Sequence, residues 1–490
     1  MIALTNSDLQ RIRDAADEVV AEHHLPGISI GVVAGDDLVF SEGFGCADIE
    51  TRMPMDPARR QRIASVTKTM AGLCVMALVD EGQLRLEDRV VDLLPELVFD
   101  GPAETMTVWH LLTHTSGIGE APTVDALAAV AAPDRGAIKE PGDFATLYPK
   151  GIIVEAVPGT KWAYCNNGYG LLGEIVVRAE NAPLQDVMQR RIFEPLGMRD
   201  TDIKDTYDER LTTPYHRPVS DDNREQFTRA GIPIPDETLV DGHNIRGEFR
   251  GEFNRGMLAA GAVQSNMPDM ARYASALLRR GGGIVRPETF AAMTSPQYGA
   301  DPRLVSWGLA FARTPRFGRQ AMGHGGAFFG GWNTNLSFFP EENIAVLQHM
   351  NIMLDSSAPV FSHILHAVFA APKETYQERP TDPAILASAP GLYACTPGRL
   401  TNFRPATRIG RVHIEAEGGS LILRSRWGAW KQGVRMMPAD PADPAFFAVR
   451  AEGGEPAYIA LTRNAAGRVD GLRCDELTHM VRGDQPRADL

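Results

Sequence analysis

The chain has 490 residues, 44% hydrophobic and 23% charged, ordinary for a globular protein and long enough for more than one domain. Its 49 basic and 62 acidic side chains leave a formal net charge of −13, which opposes binding to nucleic acid or anionic lipid and says little about a small substrate. The five cysteines (Cys46, Cys74, Cys165, Cys395 and Cys474) are scattered and form no CxxC pair, so free thiols in a reducing compartment are expected.

The first residues, MIALTNSDLQRIRDAADEVVAEHH, lack the basic start and continuous apolar run of a secretory leader. Leu9, Ile12, Ala16, Val19 and Val20 mark one face of an amphipathic helix, and Ser7 with Gln10 reads as its capping box. No stretch reaches the roughly 18 apolar residues of a membrane span, so a cytoplasmic protein with no membrane partner is expected.

Gly27 to Gly45 reads as two strands around a Gly35-Asp36-Asp37 turn. From Ser65, SVTKTMAGLCVMALVDEGQL is apolar almost all round, the mark of a buried helix; Cys74 belongs to its core. Leu86 to about Asn266 is helical and loop-rich. Ser306 to His349 returns to short β-type runs (WGLAFA, LSFFP, AVLQHM), and Ser356 to Ala371 reads as a helix. Strands at both ends of a helical middle predict one antiparallel sheet flanked by helices, with an all-helical subdomain.

Pro372 to Pro390 is polar and proline-rich and reads as a linker. Beyond it, RVHIEAEGGSLILRSR alternates around a Gly-Gly turn, and later runs continue the style. The expected domains are 1–371, a linker at 372–390, and a small antiparallel β-barrel or sandwich at 391–490.

Two stretches carry chemistry. Ser65 and Lys68 are spaced i, i+3 and share one face at a helix N-terminus. A lysine in an apolar helix must be paired or lose its charge, and burial turns its amine toward a base. The plainer alternative is that Ser65 caps the helix and Lys68 snorkels outward. The other stretch is GHGGAFFGG, Gly323 to Gly331. As the oxyanion loop of an α/β-hydrolase it needs a G-x-S-x-G elbow downstream, and none follows it in the chain. His110 and His114, at i, i+4, lack the glutamate of H-E-x-x-H, so neither is expected to bind metal.

Between these stretches lies Tyr164-Cys165-Asn166. Ser-x-x-Lys, Tyr-x-Asn and His-x-Gly in that order resemble the penicillin-recognising serine hydrolases: class C β-lactamases, D-alanyl-D-alanine carboxypeptidases, D-aminopeptidases and β-lactamase-like esterases. TVWHLLTHTSGI, FEPLGMRDT and AAGAVQSNMPDMARY extend the likeness over about residues 8 to 370. The tail resembles the lipocalin-like domain of some D-aminopeptidases and penicillin-binding-type thioesterases. The resemblance implies a β-lactamase/transpeptidase-like fold of α/β (α+β) class. It implies Ser65 as nucleophile, Lys68 and Tyr164 as shared base and acid, and Asn166 as partner of Lys68 and of a substrate amide. It implies an oxyanion hole from the backbone N–H groups of Ser65 and Ala327, with His324 and Gly326 on the flanking strand. No cofactor or metal is implied.

Two departures from the family pattern matter. His324 stands where β-lactamases carry lysine, so a substrate carboxylate is expected to gain little at neutral pH. Cys165 replaces the usual serine. The expected activity is hydrolysis or transfer of an acyl group from small amides, peptides (including D-residues) or esters. A carboxylesterase with little peptidase activity, a thioesterase or peptide cyclase, and a catalytically silent sensor remain alternatives. Because every motif lies upstream of Ala371, the tail is expected to tune substrate range or solubility rather than enter the acylation site.

Overall fold

A computed structural model describes residues 4–119, 151–203, 209–221, 224–225, 228, 237–247, 258–299, 301–328, 331–354, 356–372, 379–398, 400–450, 456–474 and 478–483. Phe329 and Gly330 of the glycine-rich stretch and residues 373–378 of the expected linker lie outside these.

Helix α1 (Asn6–Glu22) starts earlier than its pattern suggested. Thr5, not Ser7, is the cap: Thr5 N donates to Asp8 Oδ2 at 2.8 Å, and Asp8 N donates to Thr5 Oγ1 at 3.2 Å. This reciprocal pair satisfies two otherwise orphaned donors, so Ser7 and Gln10 fall inside the first turns.

The main sheet is antiparallel and drawn from both ends of its domain. Its strands are β1 (Gly27–Ala34), β2 (Asp37–Asp48), β3 (Met53–Pro54), β4 (Ser306–Trp307), β5 (Ala312–Arg316), β6 (Arg319–Phe328), β7 (Trp332–Phe339) and β8 (Ile344–Met350), in spatial order β4-β5-β6-β7-β8-β1-β2-β3. β1 is an inner strand between β8 and β2, with Val32 opposite Val346 of β8. WGLAFA is not a strand throughout, because Ala310 takes φ +71° and turns the chain between β4 and β5.

Period-2 alternation in β1 feeds two cores. Ile28, Ile30 and Val32 meet Ile12, Ala16 and Val19 of α1 and Val360, Ile364 and Leu365 of the helix Ala358–Phe369. Val33 belongs to the opposite core, with α2 (Thr67–Asp80) and the helix Met267–Leu278. The sheet is thus sandwiched between helical layers, and α2 is its buried spine, with every residue from Thr67 to Leu78 buried. No described helix is long and apolar enough to cross a membrane.

The tail forms a closed antiparallel barrel of eight strands in chain order, from Gly391–Cys395 to His479–Gly483, which pair with each other to close it. Its core is separate from the other two. The Gly418-Gly419 turn joins the strands Val412–Glu417 and Ser420–Ser425 as the alternation suggested. The stretch read as linker also holds the helix Pro383–Ser388, whose Ile385 lies in the barrel core. The two units touch directly: Arg303 pairs with Asp440 at 2.6 Å and Asp443 at 2.8 Å.

Candidate active site

From Arg60 to Leu78 every residue is buried except Ser65. The backbone explains this outward step. Gln61–Arg62 pair with Gln264–Ser265, which anchors the approach to α2. Ala64 then takes φ +47°, a conformation non-glycine residues adopt only when surroundings impose it. One 3-10 turn, Ala64–Val66, follows and leads into α2.

Lys68 does not snorkel; it is fully buried. Its Nζ lies 3.0 Å from Ser65 Oγ, 2.7 Å from Asn166 Oδ1 and 2.6 Å from the carbonyl of Ala260. Two carbonyl-type oxygens therefore take two of the amine's donors. The direction left toward Ser65 donates a proton if the group is an ammonium and receives one if it is an amine. Asn166 turns its oxygen to Lys68, so its amide donor end faces away from the amine. Ala260 lies in the AAGAVQSNMPDMARY stretch, and the part its carbonyl plays was not foreseen.

Tyr164 stands beside this pair, with Lys68 Nζ 5.0 Å from its ring centroid. Cys165 is buried and caps the helix Asn166–Glu180, its Sγ accepting from Gly168 N at 3.1 Å. A serine hydroxyl would fill the same role, so the departure at Cys165 concerns the cap rather than the reacting face. Trp162, Trp307, His324 and His114 surround Tyr164, with His114 closest at 4.3 Å between ring centroids.

His114 therefore borders the candidate site, which its sequence context did not reveal. His110 serves elsewhere, its Nδ1 accepting from Thr107 N at 3.1 Å at the start of the helix Val108–Leu112. His114 lies beyond that helix with φ +58°, so the pair does not converge. Among the described residues no group of three or more His, Cys, Asp and Glu side chains is placed to hold a metal ion. Cys165 N donates to His114 Nδ1 at 3.1 Å, which leaves the ring proton on Nε2. Burial pushes the His114 pKa well below its ordinary value, and the positive charge of Lys68 adds to this.

His324 is buried on β6, and its Nδ1 faces the carbonyl of Gly325. Burial first, then the charge of Lys68, brings its pKa to about 3. It is a neutral ring at physiological pH and cannot supply the charge of the lysine it replaces. Trp162 Nε1, His114 Nε2 and His324 Nε2 are all buried with no hydrogen-bond partner among the described residues.

Beyond Gly323, which pairs with Ala312, β6 has no ladder partner on its β5 side among the described residues. Among the described residues, His324 to Ala327 thus form a strand edge with no ladder neighbour on that side. Gly326 presses this edge onto the segment that carries Ser65: a Cβ there would lie 2.3 Å from the Ile63 carbonyl oxygen and 3.2 Å from Ser65 N. Ala327 is the next residue, exposed, opposite Asn333. Gly326→Val is expected to push the strand from Ser65 and slow fluorophosphonate labelling about 10-fold to 100-fold, the scale on which a displacement of about 1 Å acts. Labelling kinetics on folded protein check this, and an unchanged rate would contradict it.

The barrel also reaches this site. Arg404, in the helix Phe403–Arg408, places its guanidinium carbon 4.3 Å from the Tyr164 ring centroid. Its charge acts on His114 and His324 as well. The tail therefore borders the Tyr164 side of the site, which the position of the motifs upstream of Ala371 did not suggest. Nothing in the sequence around Arg404 marks it, because its neighbour Tyr164 belongs to another domain.

This architecture, an antiparallel sheet between helical layers with a serine at the head of its buried helix, is that of β-lactamase/transpeptidase-like proteins. Residues 12–366 match the family model described as Beta-lactamase, and the chain belongs to that family. It is similar to Esterase EstB of Burkholderia gladioli, at 29% identity over 61% of this chain and 78% of the esterase. Among solved structures it resembles an octameric penicillin-binding protein homologue from Pyrococcus abyssi (22% identity, TM-score 0.61), over 97% of this chain and 100% of that one. It also resembles the D-amino acid amidase of Ochrobactrum anthropi SV3 (22% identity, TM-score 0.61), over 74% of this chain and 98% of the amidase.

Proposed function

We propose that the protein is a serine hydrolase that opens small esters, amides or peptides through an acyl-enzyme on Ser65. The observation that carries this reading is the Ser65 Oγ to Lys68 Nζ distance of 3.0 Å, with the amine held by Asn166 and Ala260 in a fully buried setting.

In the neutral form, Lys68 donates to the two carbonyl oxygens and accepts the Ser65 proton as Oγ attacks the substrate carbonyl. The backbone N–H groups of Ser65 and Ala327 receive the developing oxyanion. The proton then passes to the leaving group from Lys68 or Tyr164, which act as one coupled unit. Water attacks the acyl-enzyme by the reverse route. His324, neutral and on the strand edge, contributes an acceptor and ring surface rather than charge.

The likeness to an esterase and to the fold of a D-amino acid amidase supports acyl transfer and leaves the leaving group open, since loops around a site select its substrate. Labelling with a fluorophosphonate, followed by intact mass and peptide mapping, tests the reading. One adduct per chain on the peptide holding Ser65 is expected. Absence of an adduct on folded protein, or an adduct elsewhere, would overturn the reading and favour a silent binding protein.

A further inference from the structure

We propose that His114 is a positioning residue for Tyr164, gripping the chain on both sides of it and so setting where its phenol stands when the leaving group takes a proton. This rests on the acyl-transfer reading above and adds to it a residue from outside the Ser-x-x-Lys, Tyr-x-Asn and His-x-Gly motifs.

Tyr164 ends a loop that runs along residues 114–118. Glu155 N donates to the Gly117 carbonyl at 2.9 Å, Gly159 N donates to the Thr115 carbonyl at 2.8 Å, and Ile118 bridges Val154. His114 closes this run with two bonds of its own. Ala163 N donates to its carbonyl at 2.9 Å, and Cys165 N donates to its ring Nδ1 at 3.1 Å. The residues before and after Tyr164 are thus fixed to one residue, the first through its backbone and the second through its side chain. The same ring then packs on the phenol between them, with centroids 4.3 Å apart and planes 33° apart. Tyr169 and Trp307 hold the imidazole in place, each 5.1 Å away between centroids.

Packing alone does not call for an imidazole here. A phenyl ring would fill the space, and it could not accept from Cys165 N. Nε2 is buried with no partner among the described residues, so the bond at Nδ1 is the ring's one described hydrogen bond. A buried polar atom without a partner is costly, and the grip on Cys165 is what offsets it. Nδ1 accepts only in the neutral ring that carries its proton on Nε2, and burial keeps the ring neutral. The backbone bears a further cost. His114 has φ +58°, a conformation that a non-glycine residue keeps only where its surroundings impose it.

The test reads proton delivery. Ethyl butyrate and p-nitrophenyl butyrate form the same butyryl-enzyme, and kcat/KM reports that step. In each, the bond from Ser65 Oγ to the acyl carbon forms and the bond from the acyl carbon to the leaving oxygen breaks. Ethanol must depart with the proton that Ser65 gave up, whereas nitrophenolate departs without one. In the full-length protein His114→Phe is expected to lower the ethyl-to-nitrophenyl ratio of kcat/KM about 10-fold to 100-fold, the scale on which a displaced proton donor acts. His114→Asn keeps an acceptor at the δ position and tolerates the left-handed turn, so it should recover most of the ratio. Tyr164→Phe should lower the ratio as well, and His114→Phe added to it should lower it no further. Equal slowing of both esters overturns the proposal in favour of a merely structural role. A further fall in the double variant overturns it in favour of His114 acting on the substrate itself. If His114→Phe does not fold, His114→Gln, which moves the acceptor one bond outward, carries the same expectation. Hydrogen exchange of the peptide that holds Cys165 needs no turnover. It should be about 3-fold to 10-fold faster in the phenylalanine variant, the range for one hydrogen bond, and normal in His114→Asn. Unchanged exchange in His114→Phe removes the grip whether or not Ser65 is the nucleophile. A wild type that opens neither ester and takes no fluorophosphonate sinks the acyl-enzyme reading and the proton-delivery role with it, and exchange alone then decides whether the grip exists.

Discussion

Ser65→Ala should abolish ester and amide hydrolysis and all fluorophosphonate labelling, with a loss of about 10³-fold or more in kcat. The fold should survive, because Ser65 is the one residue between Arg60 and Leu78 that is not buried, and alanine leaves the backbone turn intact. Lys68 loses one hydrogen-bonding neighbour and keeps Asn166 and Ala260. Turnover and melting temperature, measured on the same preparation, decide the matter. Substantial hydrolysis by a well-folded Ser65→Ala protein would remove the nucleophile from the proposed mechanism.

That expectation depends on the character of Lys68. A fully buried ammonium with three acceptors around it is well satisfied and has no reason to act as a base. An amine in the same place donates to Asn166 and Ala260 and turns its lone pair to Ser65. Arg404 and Lys68 both lie against the Tyr164 ring.

Local pattern carried the parts of this structure that neighbouring residues decide. Ser65 and Lys68 meet because they are one helical turn apart, and Gly418-Gly419 makes a hairpin because its flanks alternate. Boundaries were less legible. The cap at Thr5 and the φ of Ala310 depend on which hydrogen bonds and contacts win locally, and both moved an expected element by a few residues. Of the contacts made across the fold, the family resemblance gave Asn166 as the partner of Lys68, and the others were not legible. The Ala260 carbonyl joins Lys68 from 192 residues away, and Leu400 reaches Glu155 across 245. Such pairs leave no period or spacing in a single sequence. His114 was weighed only as a metal ligand, and its contact with the ring of Tyr164, which arrives from another segment, left no mark in the sequence.

Acid should destabilise the protein well above the carboxylate range. His324 and His349 are buried, and burial brings each pKa to about 3. His349 sits in β8 between Ser29 and Thr334, and its Nε2 has no partner among the described residues. Unfolding restores an ordinary imidazole that binds a proton below about pH 6.5. The folded state resists that proton, so the unfolded state binds more of them and stability falls as pH falls through 6.5. Above about pH 7 both states are neutral and the dependence vanishes. Each ring should cost about 1.4 kcal/mol per pH unit below its unfolded pKa, or about 2 kcal/mol by pH 5, and the two together about 4 kcal/mol. His114, lowered in the same direction, steepens the slope. Carboxylates held below their usual range, such as Asp36 and Asp80, lose their stabilisation only nearer pH 4, so the window from pH 7 to 5 reports the histidines. Urea unfolding between pH 8 and 5 measures this, and His349→Asn should remove about one proton from the slope. A stability that stays flat to pH 5 would mean that these rings take up protons in the folded state, and His324 would then be able to carry charge on the strand edge after all.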